Sequence, residues 1–316
     1  MLNQQPETLS NLVMEYIAKH KNLKWATRDM TERVFRFLIA CLGDLHPGDM
    51  GYCQAEDFRA HLAGRILPVS VNSYIKMASP VFSWAQRRGY VPSNPFVDVK
   101  RLRTQELEIR VYDQAELRAM FEAANKLWQA RMLAAATAGL RRTEILNLTV
   151  DDVDFEKELV YVQAKKETEN TWRWTTKDYE RRTLPLVPRL ADLLSCLLAE
   201  LPVGQPYLML TEKRYWSLQQ MRSRGEMSER LHVRPDENFT KPFNKIVRNA
   251  GVKKGTFNDL RKTCLTRWSY HLPIQEVQRL AGHSDIKTTM VYLGIRTDII
   301  DRARTIGATG LEPATS

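Results

Sequence analysis

The chain has 316 residues, 43% of them hydrophobic, enough for one large domain or two ordinary ones with real cores. Lys and Arg total 47 against 37 Asp and Glu, a formal charge of +10 that favours an acidic partner such as nucleic acid. Cys41, Cys53, Cys196 and Cys264 form no C-x-x-C pair and no zinc-ligand spacing with histidine, so they read as free thiols of a reducing compartment. The polar start, with Asn3, Gln4, Gln5 and Glu7, does not read as a signal peptide, and no apolar run is long enough to span a bilayer. A cytoplasmic protein is expected, with no membrane partner.

Residues 9 to 100 read as helical. Leu9, Leu12, Val13, Tyr16 and Ile17 follow helix spacing, as do Val34, Phe35, Leu38, Ile39 and Leu42, with Gly43 as a stop. Ser70-Val71-Asn72 opens a further helix through Ile75, Ala78, Val81 and Phe82, closed by Gly89 and the turn Val91-Pro92-Ser93-Asn94-Pro95. Lys100 to Glu106 reads as a basic linker.

A second domain starts near Val111. Asp113 with Glu116 makes a capping-box pattern ahead of Leu117, Met120 and Phe121. A helix from Trp128 to Ala138 is broken by Gly139, and Glu144 to Leu148 adds a short segment. The period then shifts toward two: Leu159 to Val162 and Thr183 to Leu186 read as strands joined by a long polar hairpin. After Pro188 the pattern is helical, residues 202 to 238 are mixed, and helices resume over Pro242–Ala250, Asn258–Trp268 and Ile274–Leu280. From Lys241 to Arg267 eight basic residues stand against one acid, Asp259, among apolar residues that fold the run onto a core as a basic face.

Four residues then stand out: Arg141 after Gly139-Leu140, Arg261 after Asp259-Leu260, His283 after Ala281-Gly282, and Tyr292. Taken singly, each reads as an ordinary surface or packing residue. Together they are the parts needed to cut a phosphodiester through a phosphotyrosine. Two guanidiniums match the non-bridging oxygens of one phosphate and stay charged at working pH. They would stabilise the transition state without a metal. The histidine donates or positions, and the tyrosine, with a free pKa of about 10, needs such cations nearby to act as a nucleophile.

Gly139-Leu140-Arg141 with Glu144, Asp259-Leu260-Arg261 with Thr263, and Leu280-Ala281-Gly282-His283 with Thr289 and Tyr292 resemble, in order and separation, the tyrosine recombinases, or phage integrases. Val71 to Ala85 with Asn94-Pro95 is similar to that family's N-terminal core-binding domain. The resemblance implies a mainly α fold: a helical DNA-binding domain over 1–104, a linker over 105–110, and an α+β catalytic domain with a small antiparallel sheet over 111–306; the residues over 307–316 read as a disordered tail. It implies a site-specific recombinase of a phage or mobile element, making a 3′-phosphotyrosyl bond at Tyr292 and rejoining strands with no cofactor, metal or ATP. Arg141 and Arg261 would clamp the phosphate and His283 would assist. A hairpin lysine would protonate the leaving oxygen; Lys177 fits best, with Lys165 and Lys166 as rivals. The implied partner is double-stranded DNA carrying a recombination site, bound by a homotetramer on paired sites. Ile295, Ile299, Ile300, Ala303 and Ile306 are spaced like a short helix that would dock on a neighbouring protomer. One position departs from the family: Asn258 stands three residues before Arg261, where a histidine is usual. Asparagine donates a hydrogen bond but exchanges no proton. A catalytically weakened DNA-binding protein and a type IB topoisomerase-like activity are the alternatives.

Overall fold

The computed structural model describes residues 5–104, 109–176 and 181–292. The chain divides into two compact units, Met1–Leu107 and Glu108–Ser316. Among the described residues no helix is long and apolar enough to cross a membrane.

The described residues of the first unit form four α-helices: α1 Leu9–Lys19, α2 Trp25–Leu42, α3 Tyr52–Ala63 and α4 Pro68–Arg87. The apolar stripe read from the sequence becomes its core, with Leu9, Leu12, Phe35, Leu38, Phe58, Val71 and Phe82 buried together. Helix α4 begins at Pro68, ahead of the expected Ser70, because proline is preorganised for a first helical turn. The turn after α4 is pinned by Asn94, whose Nδ2 donates to Ser79 O (3.0 Å) and Ser83 Oγ (2.8 Å) while its Oδ1 accepts from Phe96 N–H (3.0 Å). Asn72 holds Leu102 by a pair of 2.9 Å hydrogen bonds, so the basic stretch after residue 100 is tied to α4 at least that far.

The second unit opens on α5 Gln114–Glu122, α6 Lys126–Thr137 and α7 Arg142–Leu146. The expected capping box is present: Asp113 accepts from Glu116 N–H (2.8 Å) and Glu116 from Asp113 N–H (3.1 Å). Three strands follow, β1 Val153–Asp154, β2 Leu159–Val162 and β3 Arg182–Pro185, in an antiparallel sheet of order β1-β2-β3. Val160 pairs with Leu184 in register, which turns both inward. Then come α8 Pro188–Ala199, α9 Glu212–Ser223, α10 Glu229–Val233, α11 Thr240–Asn249, α12 Phe257–His271, α13 Ile274–Ala281 and α14 Lys287–Met290. Ala130, Ala134, Ala135 and Ala138 are fully buried, and these small side chains let α12 approach α6 closely. Trp128, Phe239, Phe243 and Phe257 close the core beside them, with Phe239 4.7 Å from both Trp128 and Phe257 between ring centroids.

The link between β2 and β3 departs from its sequence reading as a polar hairpin. Its described part folds inward: Trp172 is fully buried and Trp174 nearly so, because two indoles find apolar walls that the flanking polar residues conceal in the sequence. The suggested helix after Tyr292 and the tail over 307–316 lie outside the described residues.

Candidate active site

Helix α12 is the frame of the site. Its N-terminus is capped by Asp259, which accepts from Thr256 N–H (2.6 Å) and Thr256 O–H (2.8 Å), and from Lys262 Nζ (2.7 Å). Burial alone would raise the Asp259 carboxyl; the hydrogen bonds from Lys262 and Thr256 outweigh it and hold the group below its ordinary value. With that first turn fixed, Arg261 points inward. The sequence places it in a basic face, yet Arg261 is buried, whereas Lys241, Lys245, Arg248, Lys253, Lys254 and Arg267 are exposed.

One guanidinium joins three sequence segments. Arg261 Nη1 donates to Gly139 O, and Nη2 donates to Ala281 O (2.6 Å) and His283 Nε2 (3.2 Å). Burial first, then the charge of Arg141, press the Arg261 pKa below its usual value; it remains a cation at neutral pH. Gly139 lies at φ +61°, and a Cβ there would sit 3.3 Å from the Trp268 ring, so this turn requires glycine twice over.

Arg141 is the N-cap residue of α7. Its N–H donates to Glu144 Oε2 (2.7 Å), Nη1 to Glu144 Oε1 (2.9 Å) and Nη2 to Gly282 O (2.6 Å). Glu144 also takes both arms of Arg182, at 3.0 and 2.5 Å. Burial would raise the Glu144 carboxyl, but Arg182 foremost, then Arg141 and Arg261, overcome it and hold the pKa at about 2. Three guanidiniums around one carboxylate leave two positive charges, a fixed field for an incoming phosphate that needs little reorganisation. Gly282 ends α13 in the left-handed region, φ +61°, where a Cβ would come within 3.1 Å of Arg182 Nη1.

Arginine only donates, so His283 Nε2 accepts, which places the proton on Nδ1, facing Thr289 Oγ1 at 2.9 Å. Thr289 is fully buried, and its carbonyl accepts from Tyr292 N–H (3.0 Å). The rings of His283 and Tyr292 lie near-parallel, 6.4 Å between centroids. Tyr292 is buried with Leu265, Val277 and Ala281. Burial raises its hydroxyl pKa; Arg261 and Arg141 oppose that, and Asp259 adds to it.

The structure thus brings Arg141, Arg261, His283 and Tyr292 into one site. Asn258 stands one turn before Arg261 and is exposed. Lys177 lies outside the described residues. Lys166 is exposed, and Lys165 is half-buried, its ammonium paired with buried Asp152. Arg182 is not singled out by the sequence; Thr289 belongs to the motif with His283 and Tyr292, and the fold shows its contact with His283 Nδ1. The spacing of Arg141 and Glu144, which matches a capping box, was the available signal for the Glu144 hub.

Residues 110–297 match the model of the phage integrase family. The chain belongs to that family. It is a tyrosine recombinase, of a family whose members cut and rejoin DNA strands. A XerC-like tyrosine recombinase of Caldanaerobacter subterraneus is 28% identical over 262 residues, 75% of this chain. This chain spans 63% of that relative's length. The XerC tyrosine recombinase of Oceanobacillus iheyensis is 24% identical over 313 residues, 95% of both chains. Among solved structures, the Tn1549 transposon integrase in complex with a circular intermediate DNA superposes with a TM-score of 0.73 at 18% identity, covering 96% of this chain and 99% of the other. A lambda integrase dimer bound to a COC′ core site gives 0.67 at 14%, covering 89% and 97%. These likenesses establish the fold, a mainly helical chain with a small antiparallel sheet.

Proposed function

We propose that this tyrosine recombinase cuts and rejoins double-stranded DNA at a specific site, with Tyr292 as nucleophile. The observation that carries the reading is the junction at Arg261, which ties the Arg141 turn, α12 and the His283 turn beside Tyr292. Arg141 and Arg261 would engage the scissile phosphate as negative charge builds on it. Removing one such preorganised donor typically costs about 10²–10³ in rate. The Tyr292 oxygen attacks phosphorus as its proton passes to solvent water, and the bond from phosphorus to the 5′ oxygen breaks. Lys177 delivers a proton to that oxygen. The 3′-phosphotyrosyl bond keeps the phosphodiester energy, so a 5′-hydroxyl reverses the step on a new strand. His283, held by Thr289 at Nδ1, would take a proton at Nε2 and donate it in a hydrogen bond to the phosphate in place of its contact with Arg261.

The first unit would serve as the core-binding DNA domain and the second as the catalytic one. The exposed cations of α11 and the loop after it would track the backbone of a site flanking the cut. A homotetramer on two paired sites, working in the cytoplasm, is the form that strand exchange requires. The DNA-complexed Tn1549 and lambda integrases support the DNA partner. Asn258 supports a second reading, DNA binding without chemistry, since no proton exchange is available there.

Selection of bound duplexes from a random library supplies the site. A nicked duplex of that sequence, which loses its 5′-hydroxyl fragment on cleavage, should trap a covalent complex that Tyr292→Phe abolishes. Tight binding with no adduct would favour the second reading. Relaxation of plasmid lacking the site would favour a topoisomerase.

A further inference from the structure

Arg182 reaches both partners of Arg141. It stands on β3 opposite Val162 in the register, while its exposed neighbour Arg181 lies over the Tyr161 ring at 5.2 Å. Its two arms take the two oxygens of Glu144, Nη1 on Oε1 at 3.0 Å and Nη2 on Oε2 at 2.5 Å, a fork-to-fork pair. The same Nη1 lies 3.1 Å from where a Cβ on Gly282 would stand, and Gly282 O accepts from Arg141 Nη2. Arg141 therefore holds Glu144 with one arm, Nη1 on Oε1, and turns the other to Gly282. Arg141 and Glu144 are three residues apart at the start of α7, a spacing at which a two-arm pair could close if Glu144 were not already taken. Burial sorts the two guanidiniums. The Arg182 side chain is 8% exposed and the Arg141 side chain 22%, so Arg141 is the one open to a ligand.

We propose that Arg182 is a positioning residue for strand cleavage: by occupying both oxygens of Glu144 it keeps Arg141 from closing on that carboxylate and leaves it turned to the scissile phosphate. This rests on the reading that Arg141 engages that phosphate. Without Arg182, Glu144 would be a buried carboxylate short of a partner, and Arg141, already on it with one arm and its main-chain N–H, would close with both arms. The phosphate would then meet Arg261 and a neutralised Arg141 in place of two uncompensated cations. Arg182 acts through Arg141 and needs no contact with DNA.

The test uses the full chain and the selected nicked duplex in two forms, with a phosphate or a methylphosphonate at the scissile position. The methyl group replaces one non-bridging oxygen and removes the negative charge, so this form gains less from a free Arg141. Each variant is compared with the wild type on the same form. Arg182→Met keeps a buried stem and removes the guanidinium. It should slow the phosphate form by about 10²-fold, the low end of what losing one preorganised donor costs, and the methylphosphonate form by less than about threefold. Arg182→Lys keeps the charge without a fork to cover both Glu144 oxygens; it should slow the phosphate form by about tenfold with the same selectivity, and it decides the matter should Arg182→Met fail to fold. Arg182→Met combined with Glu144→Gln leaves Arg141 no carboxylate to close on, and phosphate cleavage should return to within about tenfold of the wild type. Equal slowing of both forms, no slowing of either, or a double variant no faster than Arg182→Met overturns the positioning role. Equilibrium binding of the same duplexes separates this role from the reading beneath it. The wild type should prefer the phosphate form by about tenfold, and Arg182→Met should lose most of that preference. No preference in the wild type defeats the reading that Arg141 engages this phosphate, whereas a preference that Arg182→Met keeps intact defeats only the role of Arg182.

Discussion

Replacing Glu144 with Gln removes the single carboxylate that three arginines share. The side chain is 3% exposed, so solvent does little to screen the change. Its pKa falls from an ordinary 4.5 to about 2 on folding, which corresponds to about 3 kcal/mol of stability at pH 7. That agrees with the roughly 3–5 kcal/mol expected for breaking a buried ion pair from one side. For a unit of this size, the midpoint of its thermal transition should drop by about 6–12 °C. The pH dependence is more diagnostic. Because the folded carboxyl lies below its unfolded value, its contribution is complete above about pH 4.5 and is lost as pH falls through 2. Urea titrations of the wild type and Glu144→Gln should differ by about 3 kcal/mol at pH 7 and about 1.4 kcal/mol at pH 3. Shifts at other acidic groups cancel in that difference. A difference below about 1 kcal/mol at pH 7, or one that does not shrink in acid, would refute the idea that Glu144 is held as an anion by these arginines.

Three further outcomes are expected. Gly282→Ala forces a Cβ to within 3.1 Å of Arg182 at φ +61°, so cleavage should fall at least tenfold while stability drops by about 1 kcal/mol or more; unchanged cleavage would mean that the Arg141–Gly282 contact does not position the clamp. Asn258→His places a titrating base on the exposed first turn of α12, and the pH–rate profile should gain a rising limb near pH 6.5, about the free histidine value; an unaltered profile would show that no proton moves at this position. Neutralising Lys241, Lys245 and Arg248 together should weaken DNA binding and reduce the slope of log affinity against log salt by about 2.7, near 0.9 per phosphate contact; an unchanged slope would remove α11 from the interface.

The elements that were legible in the sequence are those whose signals are local. The α5 cap needs only Asp113 and Glu116, and the stops at Gly43 and Gly139 need only their own positive φ. Arg141, Arg261, His283 and Tyr292 could be gathered because each sits in a short motif of fixed spacing. What stayed hidden depends on distant partners. Trp172 looks like one aromatic in a polar run, and its burial is set by Tyr207 and Tyr215, some 35 and 43 residues further on. Arg182 was indistinguishable from Arg181 until the Val160–Leu184 register fixed which of them turns toward Glu144. Helix α9 escaped because it fully buries only Tyr215 and Leu218, too few to print a periodicity. The inward turn of Arg261 was likewise invisible: a basic run carries no mark of which cation faces the core.

Tyr292, among 11 tyrosines in the chain, is proposed to carry the cut strand. Its most direct test is protease digestion of the covalent complex trapped on the nicked duplex, followed by mass spectrometry of the nucleotide-bearing peptide. A single adduct is expected, on the peptide holding Thr289 to Tyr292, with a 3′-phosphate linkage to the tyrosine oxygen. An adduct on any other tyrosine, or a linkage to a 5′-phosphate, would contradict it.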